Sequence, residues 1–208
     1  DGDNVMTEYR RTDAGVEIPE RERRAVAGRL EIRSDGDGPL VLEGYATIYD
    51  YRYDVGGEPP HGFTEVIARG AAAKSVGEAD VRLLVNHDGV PLARTKSGTL
   101  SLTSDDIGLH VRAELDPLNP SVVEMRSALG RGDLDEMSFA FKAVRQEWNA
   151  DYTERTIREV KLYDVSVVTY PANPATVALM RDDAPLLPPR GAFPLSLAQA
   201  QAEALRVI

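Results

Sequence analysis

Histidine is the side chain best suited to move a proton near neutral pH, and this chain has three, His61, His87 and His110. In GLHVRAELD, Leu109, Val111, Ala113 and Leu115 alternate with His110, Arg112, Glu114 and Asp116, which puts His110 on a solvated polar face. His61 lies in GGEPPHGF, a loop by composition. His87 differs because it ends the apolar run VRLLVNHDG, where a buried strand opens into a turn. Two roles are open to it, a turn hydrogen bond within Asn86-His87-Asp88 or work at a site built on a rigid strand end.

The stretch DEMSFAF sets one hydroxyl into an apolar, aromatic run. Strand geometry gives Met137, Phe139 and Phe141 one face and Ser138, Ala140 and Lys142 the other, leaving Ser138 a small neighbour and room in front. In REVKLYDVSVVTYPA, an unbroken strand over 158–169 puts Val160, Leu162, Asp164, Ser166 and Val168 on one face. Glu159, Lys161, Tyr163, Val165 and Val167 take the other. Asp164 interrupts an apolar stripe, so it either finds a partner, such as a histidine to orient, or is turned to water by a bulge or sheet edge.

His87, Ser138 and Asp164 thus offer a base, a nucleophile and an orienting acid on three separate strand-like segments. A serine hydroxyl needs a base within hydrogen-bond reach, and the base gains from a carboxylate that fixes its tautomer. Other chemistries are poorly served. The chain has no cysteine, which removes thiol nucleophiles, disulfides and cysteine-ligated metals. HExxH, GxSxG and GxxxxGK[ST] are all absent.

The elements that must position these groups read as short strands: 25–33, 39–48, 81–85, 99–102, 109–115, 136–144, 156–161 and 163–169. Turn residues separate them, as in a compact β-rich sheet or barrel. Two helices are expected, over Ile67–Val76 and over Ser121–Leu129, the second with a Ser121/Glu124 capping box and a stop at Gly130. Residues 1–24 are charge-dense and read as a mobile arm, 25–180 as the folded domain, 35–39 as a turn within it, and 181–208 as a proline-rich linker with a helix at 196–206. A net charge of −10 argues against direct nucleic-acid binding. No run approaches the roughly 20 apolar residues of a membrane span, and the N-terminal residues lack a signal-peptide core, so a soluble, non-exported protein with no membrane contact is expected.

Six segments together resemble the caudovirus prohead serine proteases: LEGYATIYD at 42–50, FTEVIARGA at 63–71, VRLLVNHD at 81–88, SGTLSLTSDDIGLHVRAELD at 97–116, LDEMSFAFKA at 134–143 and REVKLYDVSVVTYPANP at 158–174. They stand in the family's order. ARGAAA departs from the family pattern in lacking a bulky aromatic after Gly70-Ala71, a matter of packing more than chemistry. The resemblance implies a β-rich α+β fold, an assemblin-like β-barrel surrounded by a few helices. It makes Ser138 the nucleophile and His87 the base; the third position falls to Asp164 by strand parity, with Glu159 as the alternative acid, and a bulge between them would reverse that choice.

The implied activity is that of a serine endopeptidase without metal or organic cofactor. Its substrates would be the scaffold segment of a phage major capsid protein, or a separate scaffold protein, and the protease itself. It would act inside the assembling prohead in the host cytoplasm. Dimerisation is characteristic of the assemblins, and no segment here marks an interface for a homodimer. The alternative is an inactive scaffold or capsid-assembly domain of the same fold.

Overall fold

Turn residues cut the chain into extended runs, and the computed structural model pairs them into three sheets. It describes residues 10–12, 15–17, 19–27, 30–34 and 40–169. In chain order the elements are β1 (Arg10–Thr12), β2 (Gly15–Glu17), β3 (Glu22–Ala27), β4 (Glu31–Ser34), β5 (Leu40–Ile48), β6 (Arg52–Val55), β7 (Phe63–Ile67) and α1 (Ala73–Glu78). They continue with β8 (Arg82–Val85), β9 (Asp88–Arg94), β10 (Leu100–Ser104), β11 (Gly108–Leu115), α2 (Pro120–Arg131), β12 (Glu136–Trp148) and β13 (Glu154–Val168). The fold is β-rich α+β.

β12 and β13 form the central antiparallel hairpin of a seven-stranded sheet with path β3-β12-β13-β7-β6, and β8 joins β13 with β9 beyond it. The free side of β13 is shared. Its first part pairs in parallel with β7 at Glu154–Ile157 and its last part with β8 at Asp164–Val167. Between them α1 and its lead-in supply what a strand would have supplied: Val160 N–H donates to the Ala71 carbonyl, and Leu162 N–H to Ser75 Oγ at 2.8 Å.

The inner face of this sheet carries Met137, Phe139, Phe141, Val165 and Val167 into the main core, with the two phenyl rings stacked 4.7 Å apart. A second sheet, β10-β11-β5-β4, contributes Leu42, Leu102, Leu109 and Val111 to the same core. Its β5 alternates buried and half-buried positions, as a strand packed on one face must. These pairings do not run round into a closed barrel among the described residues. β1 and β2 pair only with each other. No helix among the described residues is long and apolar enough to cross a membrane.

Several expectations are corrected. The strand expected over 25–33 is two, β3 and β4, in different sheets. β1, β2 and the start of β3 fall within 1–24, the segment expected to be a mobile arm, and Glu22 and Arg24 of β3 are buried and ion-paired. The helix expected at Ile67–Val76 begins only at Ala73; the preceding FTEVI is β7, whose inward positions are Phe63, Glu65 and Ile67. α2 is capped by Asn119, whose side chain accepts from Ser121 N–H at 3.0 Å, with Pro120 at the first turn and left-handed Gly132 at its end. Ser121 is therefore not the cap, and Gly130 lies inside the helix. The segments expected at 156–161 and 163–169 are one strand. The turn expected at 35–39, the linker at 181–195 and the helix at 196–206 lie outside the described residues.

Candidate functional site

The outer face of the β12–β13 pair is where polar side chains collect. Ser138 faces Ser166 across the hairpin, and Ala140 faces Asp164. Phe141 pairs with Leu162, so Tyr163 is an extra residue in β13, and this bulge sends Leu162 to the core and Asp164 to the opposite face. The expected sharing of one face by Leu162 and Asp164 does not hold. Nor does the bulge expose Asp164 or favour Glu159: Asp164 is 2% exposed, whereas Glu159, further down the strand, pairs with Lys74 at 3.2 Å.

His87 reaches this face from a tight turn. Val85 pairs with Asp88, leaving Asn86 and His87 as a two-residue hairpin loop with φ of 52° and 60°, the left-handed pattern of a type I′ turn. Neither residue is glycine, so the turn carries strain that neighbouring bonds must offset. They come from the end of β13. Asn86 N–H donates to the Val167 carbonyl, Thr169 N–H donates to Asn86 Oδ1, and His87 N–H donates to Ser166 Oγ at 3.2 Å.

Held there, the imidazole bridges two strands. His87 Nδ1 lies 2.6 Å from Asp164 Oδ1, and Nε2 lies 2.7 Å from Ser138 Oγ. With Nδ1 as the donor to the carboxylate, Nε2 is left as an acceptor facing the serine hydroxyl. That hydroxyl has a second acceptor, the Arg24 carbonyl of β3 at 2.9 Å. Ser138 is 1% exposed, so the open space expected in front of it is taken by His87 and β3.

Asp164 is bonded on both oxygens. Oδ1 accepts from His87 and from Ser166 Oγ at 3.0 Å, while Oδ2 accepts from the Arg21 guanidinium. Burial pushes its carboxyl up, but the hydrogen bond and charge of His87, then Arg21 and Ser166, outweigh that and hold it below the ordinary carboxylate range. It is an ionised group in a dry setting, suited to fix a tautomer and to stabilise an imidazolium. Beside it a cavity of about 540 Å³ opens between β13, the start of β8 and the end of α1.

The other two histidines stand apart. His61 is exposed in its loop. His110 is half-buried rather than solvated, because β5 flanks it with Glu43 at 3.2 Å and the Tyr45 ring at 5.1 Å. Three contributors escaped the sequence reading. Ser166 had a signal, its place two residues from Asp164 on the same strand face; Arg21 and the Arg24 carbonyl had none.

Comparison with known proteins bears on the family of the whole chain. The family model for the caudovirus prohead serine proteases matches residues 28–185. The prohead protease of Enterobacteria phage HK97 is 27% identical over 169 residues, covering 79% of this chain and 71% of its own. No solved structure matches. The matched span covers most of the chain and runs through β8, β12 and β13, the strands that converge on His87, so the chain belongs to the caudovirus prohead serine protease family, the proteases of capsid maturation in tailed phages.

Proposed function

We propose that Ser138, His87 and Asp164 are the nucleophile, base and orienting acid of a serine endopeptidase. The observation that carries the reading is the unbroken chain from Asp164 Oδ1 to His87 Nδ1 at 2.6 Å and from His87 Nε2 to Ser138 Oγ at 2.7 Å. His87 Nε2 takes the Ser138 proton as Oγ attacks the substrate's peptide carbonyl. The resulting imidazolium, held by Asp164, then gives that proton to the leaving amine, leaving an acyl-enzyme. Water attacks the acyl carbon, gives its proton to His87, and Ser138 recovers it as the carboxylic acid leaves.

The Arg24 carbonyl has a part in the resting state. Ser138 has one proton and two acceptors, so each excursion of the hydroxyl to Arg24 idles the nucleophile. In this reading the substrates are the scaffold segment of the phage major capsid protein or a separate scaffold protein, and the chain itself. Closure of the two larger sheets into an assemblin-like barrel, and pairing of two copies, belong to the same proposal; the contact of β12 and β3 with β5 supports the first.

The test is intact mass over time for the full chain and for Ser138→Ala, each alone and with capsid or scaffold polypeptide. The expected outcome is trimming by the wild type and its loss, on the order of 10⁶-fold in rate, in Ser138→Ala. Equal behaviour of the two would make the hydroxyl structural and the protein an assembly domain.

A further inference from the structure

Residues ahead of the family-matched span take part in the site. The match begins at residue 28, yet Arg21 bonds Asp164 Oδ2 and the Arg24 carbonyl bonds Ser138. We propose that the Glu20–Ala25 segment is a working wall of the active site, in which Arg21 is a positioning residue that clamps Asp164 against His87. This rests on the triad reading above.

Geometry makes the segment fit the task. β3 runs antiparallel along the nucleophile strand, with Ala25 opposite Ser138 and Arg23 opposite Ala140. Its alternate side chains, Glu22 and Arg24, point the other way into the protein, where Arg24 Nε bonds Glu65 Oε1 at 2.6 Å and Arg155 Nη2 bonds Glu22 Oε1 at 2.9 Å. These buried pairs anchor the backbone, so Arg21 leaves the strand end from a fixed point. Its guanidinium also lies 5.6 Å from the centre of the Tyr163 ring, the bulged residue next to Asp164. A carboxylate held on one oxygen by His87 can pivot about that bond; a second strong bond on Oδ2 removes the pivot.

Other charged groups near Asp164 are committed elsewhere or turned away. Arg82, opposite it on β8, bonds the Asp80 carbonyl at 3.0 Å and its carboxylate at 3.4 Å. Asp80 is held chiefly by Arg94. Lys161 lies 5.9 Å from the Tyr163 ring centre, Glu78 on the cavity rim is exposed, and Arg23 is exposed on β3. Among the described residues Arg21 is therefore the one fixed cation bonded to Asp164. Its side chain is 46% exposed and contributes little to the core, so its loss should spare the fold.

The test uses the full chain as wild type, Arg21→Ala, Arg21→Lys and Ser138→Ala, with a fluorophosphonate as the probe. Ser138 Oγ displaces fluoride from phosphorus, its proton passes to His87, and intact mass reads the rate of labelling as a function of pH. Removing the cation takes a positive charge from beside the hydrogen-bonded Asp164–His87 pair, so the pair as a unit holds its proton at higher pH. For Arg21→Ala the expected result is labelling about tenfold slower at neutral pH, with the acid limb moved up by about one unit, and a melting temperature within about 2 °C of wild type. Arg21→Lys should recover most of the rate. An Arg21→Ala profile that overlays wild type overturns the inference, as does a lower melting temperature with an unmoved pH limb, which would make Arg21 merely structural. Labelling that persists in Ser138→Ala overturns the triad reading, and this inference with it.

Discussion

At the scale of single residues, a one-residue bulge decides which carboxylate meets the histidine. Without Tyr163 as the extra residue, Leu162 and Asp164 would share the core face, and a buried charge would have no use there. With it, Asp164 and Ser166 stand beside Ser138, while Glu159 pairs with Lys74. Asp164→Asn keeps the shape but offers an amide that can donate to Nδ1, which favours the wrong tautomer of His87. Cleavage kinetics on a capsid or scaffold polypeptide should show a fall in kcat of roughly 10³- to 10⁴-fold for Asp164→Asn. Glu159→Gln should leave kcat within about twofold of wild type, since a surface ion pair contributes roughly 0–1 kcal/mol. Equal losses in the two variants would return Glu159 to the site.

At the scale of elements, α2 shows how a cap seen only in three dimensions becomes a stability prediction. Its buried side chains, Val122 and Met125, reach the core only if the first turn is set, and Asn119 sets it by accepting from Ser121 N–H. Asn119→Ala should cost about 1 kcal/mol. In a domain of this size that lowers the melting temperature by roughly 2–4 °C, whereas Ser121→Ala should stay within about 0.5 kcal/mol of wild type. A larger loss at Ser121 would mean that its side chain, not Asn119, holds the helix start.

The same contrast marks what the sequence discloses. Strands with clean apolar alternation, such as β11, are visible as periodicity, while Ser138 and Asp164 stand out as polar interruptions of apolar runs and His87 as the end of one, with their roles implied by the family resemblance. β7 is hidden because its central inward position is Glu65, a charge that breaks the pattern and is matched only by arginines from β3 and β13. The outer halves of β12 and β13 are hidden because Val144–Glu147 carry polar or exposed residues that earn their place by pairing alone. Register, bulges and long-range partners such as Arg21 with Asp164 leave no local trace, since they depend on strands far apart in the chain.

At the scale of the whole molecule, the largest departure from an apolar interior is a buried cluster of four charges that ties five strands together. Glu22 and Arg24 come from β3, Glu65 from β7 and Arg155 from β13; Tyr53 of β6 donates to Glu65, and Gln146 of β12 accepts from Arg155 at 2.6 Å. Two carboxylates and two guanidiniums cancel, so the cluster is tolerable whole and costly when broken. Burial alone would raise the Glu65 carboxyl; the charges of Arg24 and Arg155 outweigh it, and its folded-state value lies below the ordinary one. A depressed carboxyl adds stability that is fully present above its unfolded pKa, about 4.3, and is lost as the pH falls through the lower folded value. Asp164 adds to the same slope with the same sign. Urea midpoints followed by fluorescence of Trp148, the one tryptophan, which lies against Phe63 at 4.8 Å and Arg155 at 5.6 Å, should therefore fall as the pH drops below about 5. Glu65→Gln leaves a buried guanidinium without its counter-charge and should cost about 3–5 kcal/mol at pH 7, with a shallower decline toward acid. A variant as stable as wild type at neutral pH, or one with an unchanged acid slope, would show that β3 is held against the nucleophile strand by its backbone ladder and not by these charges.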